Sequence, residues 1–403
     1  MRILHIIPAF QHPRVRGPHR HYHFLRELSG RHEMTLLTLH REPIDEGILA
    51  EMSAYVEAIH SFEVNGRSGG PAVAAVARLP LVGAEVAESW RFQCGLRRMR
   101  RTFERLVQTG GYEVVLFHGK SVFPVIAGWS GLPLVVDFCD ATSMRLRSMM
   151  RYATPPKLPW LAARYWRTRA VERQLIRKTP HLAFISARDR AAVMGAASRA
   201  ELLPNGVDLG YWTRSTPLSQ SRRIVFTGVM DYAPNEDAAL YLIDRIAPRV
   251  RQSLPDVELQ IVGRHPSAAL RERARRSPGV TVTGTVEDMR PFLEGAAVYA
   301  APMRVAAGMQ NKILEAMAMG VPVITTPIAA GGLRVDGTTP PVWVAEGERP
   351  FTDGVVSLLA QGTERARLAA EGRRFVETHF VWSRSAQKLE RLCVAARAAH
   401  AAT

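Results

Sequence analysis

The stretch Gly308-Met309-Gln310-Asn311-Lys312-Ile313-Leu314-Glu315-Ala316-Met317-Ala318-Met319-Gly320-Val321-Pro322 has the residue types to hold a phosphate. A glycine-opened turn runs into helical spacing, and the first amides of such a helix lack intrahelical partners. They therefore point outward at an anion, to which Lys312 adds a full positive charge. Glu315 lies one turn further along, among small and apolar residues. Its carboxylate is either an exposed helix residue or an acceptor for two hydroxyls of a sugar ring. His19, His21 and His23 alternate, and His19 with His23 shares a helix face, the spacing of a metal pair; no nearby acid completes a ligand set, so no metal is expected. Asp137 and Asp140 close another apolar run. Asp140 either binds acceptor hydroxyls or caps its own loop.

The elements that must position these residues read as alternating strands and helices. Arg2 to Phe10 is a strand running into a loop, His21 to Gly30 has helical spacing, and Met34 to Leu39 returns as a strand. Short apolar runs recur at Val114 to Phe117, Leu134 to Phe138 and Leu182 to Ser186. A second set follows Pro204-Asn205-Gly206: strands at Ile224 to Thr227, Glu258 to Val262, Val280 to Val282, Val298 to Ala301 and Val321 to Thr325. Helical spacing separates them at Asp237 to Leu254, Ala268 to Arg276 and Lys312 to Met319. Alternation of this kind predicts mostly parallel sheets with helices on both faces. The expected architecture is α/β, two doubly wound Rossmann-like domains facing across a cleft, with ligands outside the carboxyl ends of the strands. Expected boundaries are 1–205, 206–380 and a C-terminal helix over 381–403 that packs back on the first domain.

Composition narrows the class. A chain of 403 residues, 47% apolar and 22% charged, has the material for two cores and excludes a disulfide-stapled module or a disordered chain. Three widely separated cysteines, Cys94, Cys139 and Cys393, fit a reducing compartment. Neither a transmembrane run nor a signal-peptide pattern is expected, which predicts a cytoplasmic protein. Of the net charge of +16, residues 1–205 carry +12. Arg91 to Gln108 has six arginines against Glu104, and Arg145 to Lys178 has ten basic residues against Glu172, interleaved with Trp160, Tyr165 and Trp166. Such segments suit an anionic membrane surface; solvated helix faces in an arginine-rich chain are the plainer reading. No nucleic-acid motif accompanies the charge, so nucleic acid is not expected as a partner.

The run Leu314 to Val323 resembles the Leu-Glu-Ala-Met-Ala-x-Gly-x-Pro-Val signature of glycosyltransferase family 4, the large retaining group with the GT-B fold. Pro204-Asn205-Gly206-Val207-Asp208 resembles that family's interdomain motif, and Ile261-Val262-Gly263 with Val282-Thr283-Gly284 resembles its paired glycine elements. The match is densest over residues 200–335.

The resemblance implies a hexosyltransferase-type enzyme moving a sugar from a nucleotide-diphosphate donor to a lipid-linked or saccharide acceptor, with retention and with neither cofactor nor metal. It implies that Glu315 binds ribose, that Gly308, Met309, Gln310, Asn311 and Lys312 hold the diphosphate and donor sugar, and that Val286 lies beside the base. Gly17 would face the acceptor. His118 matches a histidine near the reacting centre; a core or loop histidine is the alternative. The chain also departs from the pattern. Ala307 stands where the family carries a first glutamate, and the loop Gly228 to Asn235 lacks the usual Arg and Lys. Its Gly-x-Met-x-Tyr-x-Pro-Asn form, with Gln310-Asn311-Lys312, resembles a subgroup associated with exopolysaccharide sugar transferases. Lys312, Arg304 or Arg264 would replace the lost charge, Lys312 first. A catalytically silent nucleotide-sugar-binding subunit and an epimerase on the same fold are the competing expectations.

Overall fold

The computed structural model describes residues 1–15, 19–64, 83–150, 153, 155–219, 221–306 and 308–402, with the side chains of 83–87 left aside. The chain forms two compact units. The first gathers Met1–Phe184, Ala192–Leu203 and Ser385–Thr403; the second gathers Ile185–Ala191 and Pro204–Arg384.

The first unit holds seven strands: β1 (Arg2–Ile7), β2 (Glu33–His40), β3 (Ala58–Glu63), β4 (Val114–His118), β5 (Leu134–Asp137), β6 (Leu182–Phe184) and β7 (Glu201–Leu202). Their order is β3-β2-β1-β4-β5-β6-β7, every pair parallel. The order reverses direction between β1 and β4, the place where a doubly wound sheet opens its ligand crevice. Central β1 is buried from Ile3 onward, which is why it reads as an apolar run interrupted only by His5. Edge strand β3 is half-buried throughout, and its sequence Ala-Ile-His-Ser-Phe-Glu lacks that run. Helices α1 (Arg20–Leu28), α2 (Gly83–Thr109), α3 (Thr142–Met150) and α4 (Leu158–Lys178) accompany the sheet.

The second unit holds six strands: β8 (Arg223–Thr227), β9 (Glu258–Val262), β10 (Val280–Val282), β11 (Val298–Ala301), β12 (Val323–Thr325) and β13 (Trp343–Val344). They run parallel in the order β10-β9-β8-β11-β12-β13, again with a reversal, here between β8 and β11. Helix α5 (Ala233–Tyr241) follows β8, and α6 (Asn311–Ala318) follows β11. The helix expected over 237–254 is divided. After α5 a π-helical turn spans Leu242–Ile246 before Ala247–Ser253 resumes, because Pro248 has no amide to continue the ladder. A single apolar core packs both faces, from Phe226 and Ile261 to Leu314, Met317 and Phe351.

The last helix, α7 (Trp382–Ala401), crosses the boundary between the two groupings, and from Ser385 onward it clusters with the first unit. Glu390 there accepts from Arg31 at 3.0 and 2.8 Å and pairs with His32, while Arg397 donates to Glu113 at 2.7 Å.

Candidate functional site

In the second unit the expected donor residues collect at the carboxyl ends of β8, β9 and β11. Gly263, at the end of β9, has φ +147, and a Cβ there would lie 1.8 Å from the Gly228 carbonyl oxygen. Backbone bonds from Gly228 to Val262 (3.0 Å) and from Met230 to the Arg264 carbonyl (2.9 Å) lace the two loops together. Only a residue without a side chain permits that approach. Gly308 takes φ +63 ahead of α6, and Gln310 sits at the helix's N-cap position with no side-chain capping bond. Ile313 already donates to the Gln310 carbonyl at 3.0 Å, so the amides of Asn311 and Lys312 are the helix-start donors left without a hydrogen bond among the described residues. Asn311 is exposed, and its side-chain oxygen accepts from Asn205 at 3.0 Å. Met309 and Val286 are half-buried and pack on the core of the unit.

Lys312 and Glu315 are both half-buried on α6. The Lys312 ammonium donates to the Asn235 side-chain oxygen, lies 3.7 Å from the Met303 sulfur and sits 5.0 Å from the centroid of the Phe226 ring. Burial pulls it down to about 7, opposed by the charge of Glu315. Glu315 is pushed up by burial to about 7, opposed by Lys312, and its charge also reaches the Tyr299 and Tyr211 hydroxyls. The Glu315 carboxylate forms no hydrogen bond or ion pair among the described residues. A partly buried carboxylate left in that condition needs an external partner to offset its desolvation.

The two alternative cations differ. Arg304 is committed to Asp237, to which it donates through Nε at 2.9 Å and through Nη2, and it lies 5.0 Å from the Tyr241 ring. Arg264 is half-buried beside Gly263, and its Nε has no hydrogen-bond partner among the described residues. Sequence reasoning missed Asn235, whose amide bridges the loop after β8 and the start of α6. The loop that lacks its own Arg and Lys thus receives the ammonium of Lys312 from 77 residues away.

In the first unit His118 ends β4, and its Nδ1 lies 2.8 Å from the Asp137 carbonyl oxygen. Since a carbonyl only accepts, Nδ1 carries the proton and Nε2 is left as an acceptor. The ring tilts at 39° against His21, centroids 4.2 Å apart, and His21 in turn meets His5 at 3.0 Å. Burial lowers all three histidines, His5 to about 3. Asp137 is gripped by Arg20 through Nε at 2.7 Å and Nη2 at 3.2 Å and also accepts from the Cys139 amide at 2.9 Å. Burial pushes the Asp137 carboxyl up, but Arg20, with His118 and the Cys139 amide, leaves it below the ordinary range.

His21, His118 and Asp137 each bring a ligand atom within 4.8 Å of the others, a different trio from the His19 and His23 pair suggested by spacing. Arg20 already neutralises the carboxylate of that trio. Asp140 turns inward as well: Thr142 donates to it at 2.8 Å and Arg145 lies 3.2 Å away. Burial raises its carboxyl, and Lys120 and Arg145, with Thr142 and His118, more than reverse that. The Asp140 carboxylate is therefore already engaged beside the start of α3, and any acceptor hydroxyl would compete with those partners. Gly17 and Ala307 lie outside the described residues.

Comparison with known proteins bears on the second unit first. Residues 221–361 match the family model of glycosyl transferases group 1. A Corynebacterium glutamicum protein named GDP-mannose-dependent monoacylated alpha-(1-6)-phosphatidylinositol monomannoside mannosyltransferase is 30% identical over 218 residues, 49% of this chain and 57% of that protein. The phosphatidyl-myo-inositol mannosyltransferase of Mycobacterium tuberculosis is 30% identical over 211 residues, 48% of this chain and 54% of its own length. The chain thus spans little more than half the length of the curated relatives it matches. Among solved structures, sucrose-phosphate synthase from Thermosynechococcus elongatus superposes with a TM-score of 0.68 at 17% identity, covering 100% of both chains. Anabaena HepE in complex with UDP superposes with a TM-score of 0.65 at 13% identity, covering 98% of this chain and 100% of that one. At such identities the likeness is one of fold: two Rossmann-like parallel-sheet units, the GT-B fold.

Proposed function

We propose that this protein is a retaining, metal-independent glycosyltransferase that moves a hexosyl group from a nucleotide-diphosphate sugar to a lipid-linked or saccharide acceptor in cell-surface polysaccharide synthesis. The observation that carries the reading is Glu315: a half-buried carboxylate, without a hydrogen bond among the described residues, one turn from open helix-start amides and a Lys ammonium. A ribose diol satisfies such a carboxylate, and a diphosphate satisfies the amides and the cation. The named activities of the two mannosyltransferase relatives and the UDP bound in HepE support the same substrate class.

In this reading the chemistry asked of the second unit is to hold negative charge on the departing diphosphate while positive charge grows at the anomeric carbon. Gly228, Arg264, Gly308, Met309, Gln310, Asn311 and Lys312 form the diphosphate and donor-sugar contacts, with Val286 toward the base. The acceptor hydroxyl attacks from the face the diphosphate leaves, and its proton passes to a phosphate oxygen, so no side-chain base is required. His118, with Nδ1 fixed and Nε2 open, is the first unit's proposed contribution toward the donor sugar, and Gly17 and Asp140 its acceptor-side contributions.

What supports an anionic membrane surface as partner is the outer face of α4. Trp160 and Trp166 are 58% and 63% exposed, Arg164 lies over the Trp160 ring at 4.5 Å, and Leu158 at the start of the helix is exposed as well. The sole acid of the helix, Glu172, is fully buried, where it accepts from the Ser143 amide at 3.2 Å. Its exposed charges are therefore all positive. Among the described residues no helix is long and apolar enough to cross a membrane. A peripheral place on the inner membrane face follows as part of the proposal.

The test is a thermal-shift screen against UDP, GDP, ADP and their sugar conjugates, repeated with Glu315→Gln. One diphosphate family should raise the melting temperature of the wild type by mass action and fail to do so for the variant. Stabilisation without donor turnover, even with membrane extract as acceptor, would instead identify a silent nucleotide-sugar-binding subunit.

A further inference from the structure

The Asn235 side chain is nearly sealed from solvent, 6% exposed, yet both ends of its amide are used. Its nitrogen donates to the Val229 carbonyl at 2.9 Å, which fixes the direction of the amide. Its oxygen then faces away from that carbonyl and accepts from the ammonium of Lys312. Gly228 lies against the same amide, since a Cβ there would come within 2.8 Å of the Asn235 nitrogen. The ammonium has three protons: one goes to Asn235, one faces the Met303 sulfur at 3.7 Å, and the third has no acceptor among the described residues. The Phe226 ring closes another side at 5.0 Å, a contact that tolerates positive charge and offers it no hydrogen bond.

We infer that Asn235 is a positioning residue that aims the Lys312 ammonium across the Gly228 loop, with its third proton directed at the diphosphate of the donor. This rests on the donor reading given above. A neutral amide suits the task because it accepts a hydrogen bond without cancelling the charge. A carboxylate in the same place would keep the bond and neutralise the pair, so the attraction for phosphate would be lost. The pairing also accounts for a loop with no cation of its own: Gly228 to Asn235 supplies the acceptor, and α6 supplies the charge.

The discriminating variant is Asn235→Asp, read by calorimetric binding of UDP and GDP alongside uridine and guanosine. The affinity gained from the two phosphates should fall roughly 10-fold or more, the scale of one charged hydrogen bond, while nucleoside affinity stays unchanged. Asn235→Ala and Lys312→Met should lower the same increment, and the double variant should be no worse than Lys312→Met alone, because the amide acts through the ammonium. Independent, multiplying effects of the two substitutions would overturn the inference, as would an unaltered phosphate increment in Asn235→Asp. Melting curves of the free variants identify any that fail to fold, and Asn235→Ser, which keeps a neutral acceptor, supplies a second route to the comparison. Failure of the wild type to bind any nucleoside diphosphate would remove the donor reading and this inference together; normal wild-type binding with an indifferent Asn235→Asp would remove this inference only.

Discussion

Arg20 donates to both carboxylate oxygens of Asp137, at 2.7 and 3.2 Å, across 117 residues of sequence, and neither side chain is more than 4% exposed. The guanidinium also donates to the Leu203 carbonyl at 2.8 Å, so one side chain of α1 ties together the ends of β5 and β7. Asp137 in turn presents its backbone carbonyl to His118. The orientation of that histidine is thereby tied to the residue that the Arg20 ion pair holds in place.

Removing one member of the pair leaves an uncompensated buried charge. Arg20→Leu should cost about 3 to 5 kcal/mol in urea denaturation, the scale for breaking a buried ion pair. A loss below about 1 kcal/mol would mean that Asp137 is satisfied without Arg20 and that the pair does not organise the β5 end.

Acid should weaken the first unit through its buried histidines. His5, His21 and His118 bind protons less readily in the fold than in the unfolded chain, chiefly because burial penalises their charged forms; Asp137 opposes this at His5 and His118, and Arg20 reinforces it at His21 and His118. Below about pH 6.5 the unfolded chain therefore binds more protons, and stability falls as pH falls toward the folded values. With His5 at about 3, that residue alone should cost about 2 kcal/mol at pH 5. Urea midpoints at pH 7.5 and 5 should diverge by less in His5→Phe than in the wild type; equal divergence would clear His5 of the effect.

Gly263→Ala should damage the second unit. The added methyl would meet the Gly228 carbonyl oxygen at 1.8 Å, and the φ of +147 is one that L side chains rarely adopt. The expected loss is on the order of 1 to 3 kcal/mol or more, with nucleotide-induced stabilisation reduced as the Gly228 loop is pushed away. A variant with a wild-type melting temperature and wild-type ligand response would show that the two loops can separate freely.

Vesicle binding should depend on the α4 face. Wild-type protein should sediment with phosphatidylglycerol vesicles and release as salt rises through the range where the Debye length shortens below about 10 Å. Trp160→Ala with Trp166→Ala should bind several-fold less at every salt concentration, because aromatic burial in the interface is insensitive to screening. Equal binding of the variant, or binding to neutral phosphatidylcholine that ignores salt, would assign those tryptophans to another purpose.

The strands most legible in the sequence are those buried on both faces. Strands β4, β5, β8 and β11 show as short apolar runs, whereas β3, β7 and β13 are half-buried or exposed, the last two only two residues long, which leaves no run to detect. The Gly308 to Glu315 turn and helix were legible because they are local, with both partners of the phosphate argument inside one turn of helix. Asn235 with Lys312 and Arg20 with Asp137 were not, because no periodicity joins positions 77 and 117 residues apart. Arg20 in particular sits among basic and histidine residues that look like a solvated face, and only the folded chain reveals that the guanidinium is buried.

The first unit is not contiguous in the sequence, because Ser385–Thr403 belongs to it while Pro204–Arg384 belongs to the other. A ribosome therefore finishes β7 and must translate roughly 180 further residues, on the order of ten to forty seconds at ordinary synthesis rates, before Glu390 and Arg397 can reach Arg31 and Glu113. Through that interval the residues that α7 later touches stay open to solvent and to chaperones. The second unit, supplied by one continuous stretch apart from Ile185–Ala191, has nearly all its sequence in hand before its neighbour can close. The half of the protein made first is thus the half completed last.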